Sequence, residues 1–215
     1  MITQQLTGAG REIEQDSFAI IDREVGSHDY DEGQWPIVRR MIHATADFEF
    51  NDLTRFHPEA VAAGIRAMRT GRPIVSDVEM IRVGLSRARL AHFRIHAHQF
   101  IDDEAVIADA HRQNTTRAVQ AMRKAYRQGL VEDGIIAIGN APTALLEVIR
   151  LIREEDARPA LIIGMPVGFV SAAESKALLT TITETPWILT EGRKGGSTLV
   201  VAALHALLAL AEAEE

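Results

Sequence analysis

The chain has 215 residues, of which 47% are apolar and 25% charged, and a formal net charge of −7, which is enough for one α/β domain with a sizeable core. The lack of cysteine excludes disulfide staples, zinc–thiolate sites, iron–sulfur clusters and a thiol nucleophile, and fits a reducing cytoplasm. The acidic balance argues against general nucleic-acid binding and against long-range steering of an anionic substrate, so an acidic ligand would need a local cluster of Arg, Lys and backbone N–H groups.

The opening MITQQLTGAG has no basic segment followed by an apolar one, so no signal peptide is expected. No apolar run reaches the roughly 18 residues of a membrane span, and a cytoplasmic protein without membrane contact is expected. Residues 1–71 read as mainly helical and 72–215 as alternating strand and helix, together one domain. Arg11–Glu24 places Ile13, Phe18 and Ile21 near helical spacing, and Gly26–Gly33 is a polar break. Gln34–Asp47 puts Trp35, Val38, Met41, Ile42 and Thr45 on one stripe. Pro58 suits the first turn of a third helix ending near Gly71.

After Arg72, β-like runs are expected at Pro73–Val78, weakly at Phe93–His98, then at Gly134–Ile138, Ala160–Ile163 and Trp187–Thr190. Helices are expected at Asp103–Gly129, Pro142–Glu155, Ala172–Thr183 and Gly196–Ala213, the last a buried C-terminal helix. The alternation predicts a parallel sheet of five strands covered on both faces. The last three runs are continuously apolar, as strands buried on both sides should be.

In such a sheet, ligands bind beyond the carboxyl ends of the strands, where the strand order reverses. Three glycine-bearing turns follow predicted strands and enter helices: Gly139-Asn140-Ala141-Pro142, Gly164-Met165-Pro166-Val167-Gly168, and Gly192-Arg193-Lys194-Gly195-Gly196-Ser197. Their N–H groups could hold an anion at a helix N-terminus. Glycine caps also make plain strand–helix connections in any α/β fold. Neither a GxGxxG fingerprint nor a Walker lysine motif is present, which leaves a dinucleotide or nucleoside triphosphate little support.

His43 falls off the apolar stripe of its helix, on a flank shared with Arg39 and Asp47. A histidine gives or takes a proton near neutrality, and Asp47 is within reach to orient it; spacing alone favours a solvated histidine. His96 and His98 would share a strand face, near His92, but spacing does not close a metal shell, and surface or core-edge histidines fit better. Arg117, after Asn114-Thr115-Thr116, stands either in the first turn of a helix, against the macrodipole, or in the middle of a longer one. Arg193 and Lys194, beside Gly195-Gly196-Ser197, suit a carboxylate or form a solvated turn in equal measure.

Taken together, SFAII (17–21), VRRMIHA (38–44), GNAPTAL (139–145), GMPVGFV (164–170), AESK (173–176) and GRKGGS (192–197) resemble the precorrin-8X methylmutase family, which includes the cobalt-precorrin-8 methylmutases. The motifs keep the family order over nearly the whole chain. The resemblance implies a flavodoxin-like three-layer α/β/α fold with extra N-terminal helices and a homodimer. It implies migration of a methyl group from C-11 to C-12 of a corrin precursor, metal-free or carrying cobalt, giving hydrogenobyrinate or cobyrinate in cobalamin biosynthesis, with no cofactor and no bound metal. His43 is implied as the acid–base residue. Ser17, Ser86, Thr116 and Arg117 are implied as substrate-binding residues. Arg39 and Asn140 join them, with Gly164, Val167 and Gly168 of the second glycine turn and Arg193, Lys194 and Gly195 of the third. The alternative is a carrier that binds the macrocycle and hands it on unchanged.

Overall fold

A computed structural model of the protein describes residues 7–213; residues 1–6, where part of the reading against a leader rests, and Glu214 and Glu215 lie outside the described residues. The strands are β1 (Thr54–Phe56), β2 (Ile74–Ser76), β3 (Ala97–Gln99), β4 (Ile135–Ile138), β5 (Leu161–Gly164) and β6 (Trp187–Thr190). They form one sheet of order β1-β6-β5-β4-β2-β3. β1 runs antiparallel to β6, and the other pairs are parallel. Every residue of β4, β5 and β6 is buried, which is why those segments carry no polar alternation.

Side-chain alternation along the strands divides the interior in two. Ile135 and Ala137 of β4, with Leu161 and Ile163 of β5, point to one face. Ile136, Ile138 and Ile162 point to the other. The first face is covered by α1 (Gly8–Val25), α2 (Trp35–Thr45), α4 (Ala60–Arg69), α5 (Glu79–Gly84), α6 (Arg87–His92) and α11 (Ser197–Ala213). The second is covered by α7 (Glu104–Arg112), α8 (Arg117–Arg127), α9 (Pro142–Glu155) and α10 (Ala172–Leu179). Without β1, the parallel strands follow the flavodoxin-like order 2-1-3-4-5, and the expected three-layer architecture is present.

The structure corrects the sequence reading at four places. The sheet has six strands among the described residues, not five. β1 is three residues long and is preceded by the single turn α3 (Phe50–Leu53). An edge strand that short leaves no readable periodicity; pairing with β6 and a Tyr30 hydroxyl donating to the Thr54 carbonyl at 3.2 Å hold it in place. The expected strand at Phe93–His98 begins only at Ala97, because Arg94 takes a left-handed φ of 56° after α6. Helices α5 and α6 occupy a stretch left unassigned. The expected helix Asp103–Gly129 is two helices, broken where Asn114 has a φ of 51° and the Thr116 hydroxyl caps α8 by accepting from Val119 N–H at 3.2 Å. Arg117 is therefore the first residue of a helix.

α11 is the centre of the first face and packs against α2, α4, α5 and the sheet. It is apolar almost all round and has ten buried residues from Leu199 to Ala211, as a helix enclosed on every side should be. Leu207 meets the Gly64 backbone of α4, where an added Cβ would lie 2.9 Å from its methyl. Among the described residues, no helix is long and apolar enough to cross a membrane.

Leu207 has no exposed surface. Leu207→Ala should cost about 2–5 kcal/mol of unfolding free energy, read as a fall in the urea midpoint. Val83→Ala, at a position 64% exposed, should stay within about 0.5 kcal/mol of the parent.

Candidate active site

The strand order reverses between β2 and β4, so the switch point lies where Asp77 leaves β2 and Gly139 leaves β4. Asp77 is buried, and its carboxylate accepts hydrogen bonds from the N–H groups of Gly139, Asn140 and Ala141 at 3.0, 2.8 and 2.6 Å. Burial pushes its pKa up, above the ordinary aspartate range, while the three N–H donors pull against that rise. The anion expected at this turn is thus supplied by the chain itself. Asn140 keeps an exposed side chain beside a backbone N–H already in use.

The other two turns also spend N–H groups on one another. Met165 N–H donates to Ile138 O at 2.8 Å, Gly196 N–H to Met165 O at 2.8 Å, and Gly168 N–H to Arg193 O at 3.2 Å. Contacts this close leave no room for side chains. A Cβ on Gly139 would lie 2.8 Å from the Ser197 Cα, one on Gly195 2.8 Å from Pro166 O, and one on Gly164 2.7 Å from a Leu179 methyl. The bonds of Gly168 and the packing of Gly164 and Gly195 are therefore internal. Val167, Phe169 and Val170 project outward at 46%, 85% and 82% exposure, and the Arg193 guanidinium lies over the Phe169 ring at 5.6 Å.

His43 lies in the last turn of α2 with its side chain exposed. It lines a cleft of about 240 Å³ with Ser17, Ile20, Ile21 and Glu24 of α1 and with Ile42, Ala46 and Phe48. The Phe18 ring meets the imidazole edge-on, with centroids 5.2 Å apart. The structure therefore brings Ser17 and His43 into one mainly apolar cleft. Arg39 does not reach that cleft. Its guanidinium lies 4.5 Å from the Phe18 centroid and donates to Asp22 at 2.8 Å.

Asp47, expected beside the imidazole, instead receives Lys194 at 2.6 Å. Glu49 takes a second contact with the same ammonium at 3.0 Å. The two carboxylates raise the Lys194 pKa, and the lysine lowers that of Asp47. The remaining candidates sit apart from the His43 cleft. Ser86 caps α6, accepting from Arg89 N–H at 3.4 Å. Thr116 stands 3.0 Å from the Thr143 hydroxyl in the first turn of α9. Arg117 makes an ion pair with Asp102 at 3.2 Å in which both side chains are more than half exposed, a contact that exchanges easily for another carboxylate.

His96 and His98 have ring centroids 6.5 Å apart on β3, and His98 stacks on Phe100. Among the described residues, no group of three or more His, Asp or Glu side chains is placed to hold a metal ion. The sequence reading missed Asp77, embedded in a strand-like run, and Lys176, the last residue of the AESK block. Lys176 is buried, its ammonium donates to Lys194 O at 2.7 Å, and burial lowers its pKa to about 8.

A family model described as precorrin-8X methylmutase matches residues 12–210. The cobalt-precorrin-8 methylmutase of Leptospira interrogans is 52% identical, covering 96% of this chain and 96% of its own. That of Priestia megaterium is 50% identical over 96% of this chain and 91% of its own. The crystal structure of the precorrin-8x methyl mutase from Thermus thermophilus superposes with a TM-score of 0.90 at 50% identity, covering 95% of this chain and 97% of that one.

Asp77→Ala strands three N–H donors at the switch point. The expected loss is about 2–4 kcal/mol, from a missing cap and unsatisfied buried donors, measured by urea unfolding. Asp77→Asn, which keeps an acceptor, should lose less.

Proposed function

The chain belongs to the precorrin-8X methylmutase family, and on that footing we propose that it moves a methyl group from C-11 to C-12 of cobalt-precorrin-8, with His43 as the acid–base residue. The cobalt-bearing form is the assigned substrate because the relatives from Leptospira interrogans and Priestia megaterium, at 52% and 50% identity, carry that name. The described residues act as one domain, in a cytoplasmic homodimer without a cofactor.

The observation that carries the role of His43 is its exposed imidazole in a cleft shared with Ser17 and walled by Ile20, Ile21 and Phe48. In the reaction, the bond from the methyl carbon to C-11 breaks as its bond to C-12 forms, and the double bonds of the macrocycle shift to match. No external nucleophile is consumed. The ring must be held in one conformation, and a proton placed where its charge changes. The His43 imidazole is the group proposed to place that proton. The edge-on contact with Phe18 favours this ring orientation by about 0.5–1.5 kcal/mol.

A cleft of about 240 Å³ is smaller than the usual small-molecule site of roughly 300–1,000 Å³, so it accepts one edge of a macrocycle. The proposed surface for the rest of the ring is the exposed Val167 and Phe169, with a partner subunit completing the enclosure. Arg193 takes one peripheral carboxylate, since no described carboxylate pairs with it, and Arg117 takes another by exchanging Asp102. Ser17 donates within the cleft. Ser86, Thr116 and Asn140 serve the periphery through hydroxyl and amide groups.

His43→Ala should lower turnover of cobalt-precorrin-8 by at least about 100-fold and leave the dissociation constant of the coloured product within about threefold. Turnover close to the parent's would refute the acid–base role. A carrier would give back unconverted substrate after mixing with the parent protein and denaturation, because only the isomerisation alters the conjugation of the released pigment.

A further inference from the structure

Lys176 is 1% exposed, and its ammonium hydrogen-bonds two neutral oxygens, Lys194 O at 2.7 Å and Thr190 Oγ1 at 3.5 Å. No described carboxylate pairs with it, and burial alone lowers its pKa, to about 8. Burying a cation without a counter-charge works against folding. A methionine would fill the same space without that cost, so the ammonium has a task other than packing.

Its hydrogen bonds show what that task is. The Thr190 hydroxyl also donates to Lys194 O, at 2.8 Å, so two donors hold one carbonyl of the β6–α11 turn. From the same residue the Lys194 side chain runs the other way, to Asp47 at 2.6 Å and Glu49 at 3.0 Å. Asp47 is itself fixed by accepting Glu49 N–H at 3.0 Å. It follows Ala46, which closes α2 with a left-handed φ of 52° and an N–H donating to Ile42 O at 2.7 Å. His43 stands three residues before Ala46. A continuous set of contacts therefore runs from α10, through the turn, to the end of the helix that carries the imidazole.

We propose that Lys176, Lys194 and Asp47 form a strut that sets the position of the His43 imidazole relative to the glycine turns, with Lys176 as a positioning residue for the methyl migration. The inference rests on the acid–base reading of His43. It assigns the Lys194 ammonium to the protein's own carboxylates rather than to a substrate carboxylate. A displacement of about 1 Å at a reacting group can cost on the order of 100-fold in rate, so a strut remote from the cleft can govern turnover.

The test is steady-state kinetics with cobalt-precorrin-8 on the full chain, for Lys176→Met, Asp47→Asn and their double variant, with His43→Ala in parallel. Each single variant should lower kcat about tenfold or more with KM within about twofold. Lys176→Met should melt no lower than the parent. The double variant should be no slower than the slower single, because both cut one strut. Unchanged kcat in the single variants would overturn the proposal. So would a rise in KM at constant kcat, which would make Lys194 a substrate ligand, or multiplicative losses in the double variant. Should Lys176→Met fail to fold, Asp47→Asn alone decides: parental kcat there overturns the strut. An inactive His43→Ala beside parental single variants would sink the strut alone. An active His43→Ala beside impaired single variants would overturn the acid–base reading, and with it any role of the strut through the imidazole.

Discussion

The backbone contact among the three glycine turns at the carboxyl edge of the sheet is the constraint on which the rest of the site depends. Gly139 sits against Ser197, and Gly195 against Met165 and Pro166, at distances that a Cβ would violate. Because the turns touch through main chain, they donate hydrogen bonds to one another, Gly196 to Met165 and Gly168 to Arg193. A rigid edge results, from which side chains project outward: Val167 and Phe169 as apolar surface, Arg193 as a cation laid over Phe169. Sites held on such rigid elements place functional groups more accurately than mobile loops do.

Much of the charge borne by the candidate site residues and turns is settled inside the protein. Asp77 neutralises the N-terminus of α9, Lys194 is held by Asp47 and Glu49, and Arg39 by Asp22. The turn before α9, Lys194 and Arg39 each look ligand-directed when their motifs are read alone. With those groups satisfied, Arg193 over Phe169 and the loosely paired Arg117 are the cations proposed to meet an acidic macrocycle. A chain with a net charge of −7 can bind such a ligand only where local cations outweigh the overall field.

The parts of the fold legible in the sequence were those with one cause. β4, β5 and β6 are buried on both faces, so Ile135–Ile138 and its neighbours spell continuous apolar runs. The C-terminal helix is enclosed by α2, α4 and α5, so it is apolar all round. β1 stayed hidden because its three residues are held by pairing with β6, which no local pattern records. The break between α7 and α8 depends on one left-handed asparagine and one threonine hydroxyl, both compatible in sequence with a continuous helix. In the site, motif order pointed to the turns and to His43, and helix geometry rightly placed His43 off its own apolar stripe. Asp77 and Lys176 were not legible as site residues. A carboxylate inside a strand-like run and a lysine on a helix look solvated until the fold encloses them.

The His43 cleft and the glycine-turn edge are proposed to form one corrin-binding site. A crystal structure with the corrin product bound tests it most directly. The C-11/C-12 edge of the ring is expected in the cleft beside Ser17, within hydrogen-bond reach of the His43 imidazole, with peripheral carboxylates on Arg193 and Arg117. A macrocycle bound elsewhere, with His43 facing solvent, would contradict it.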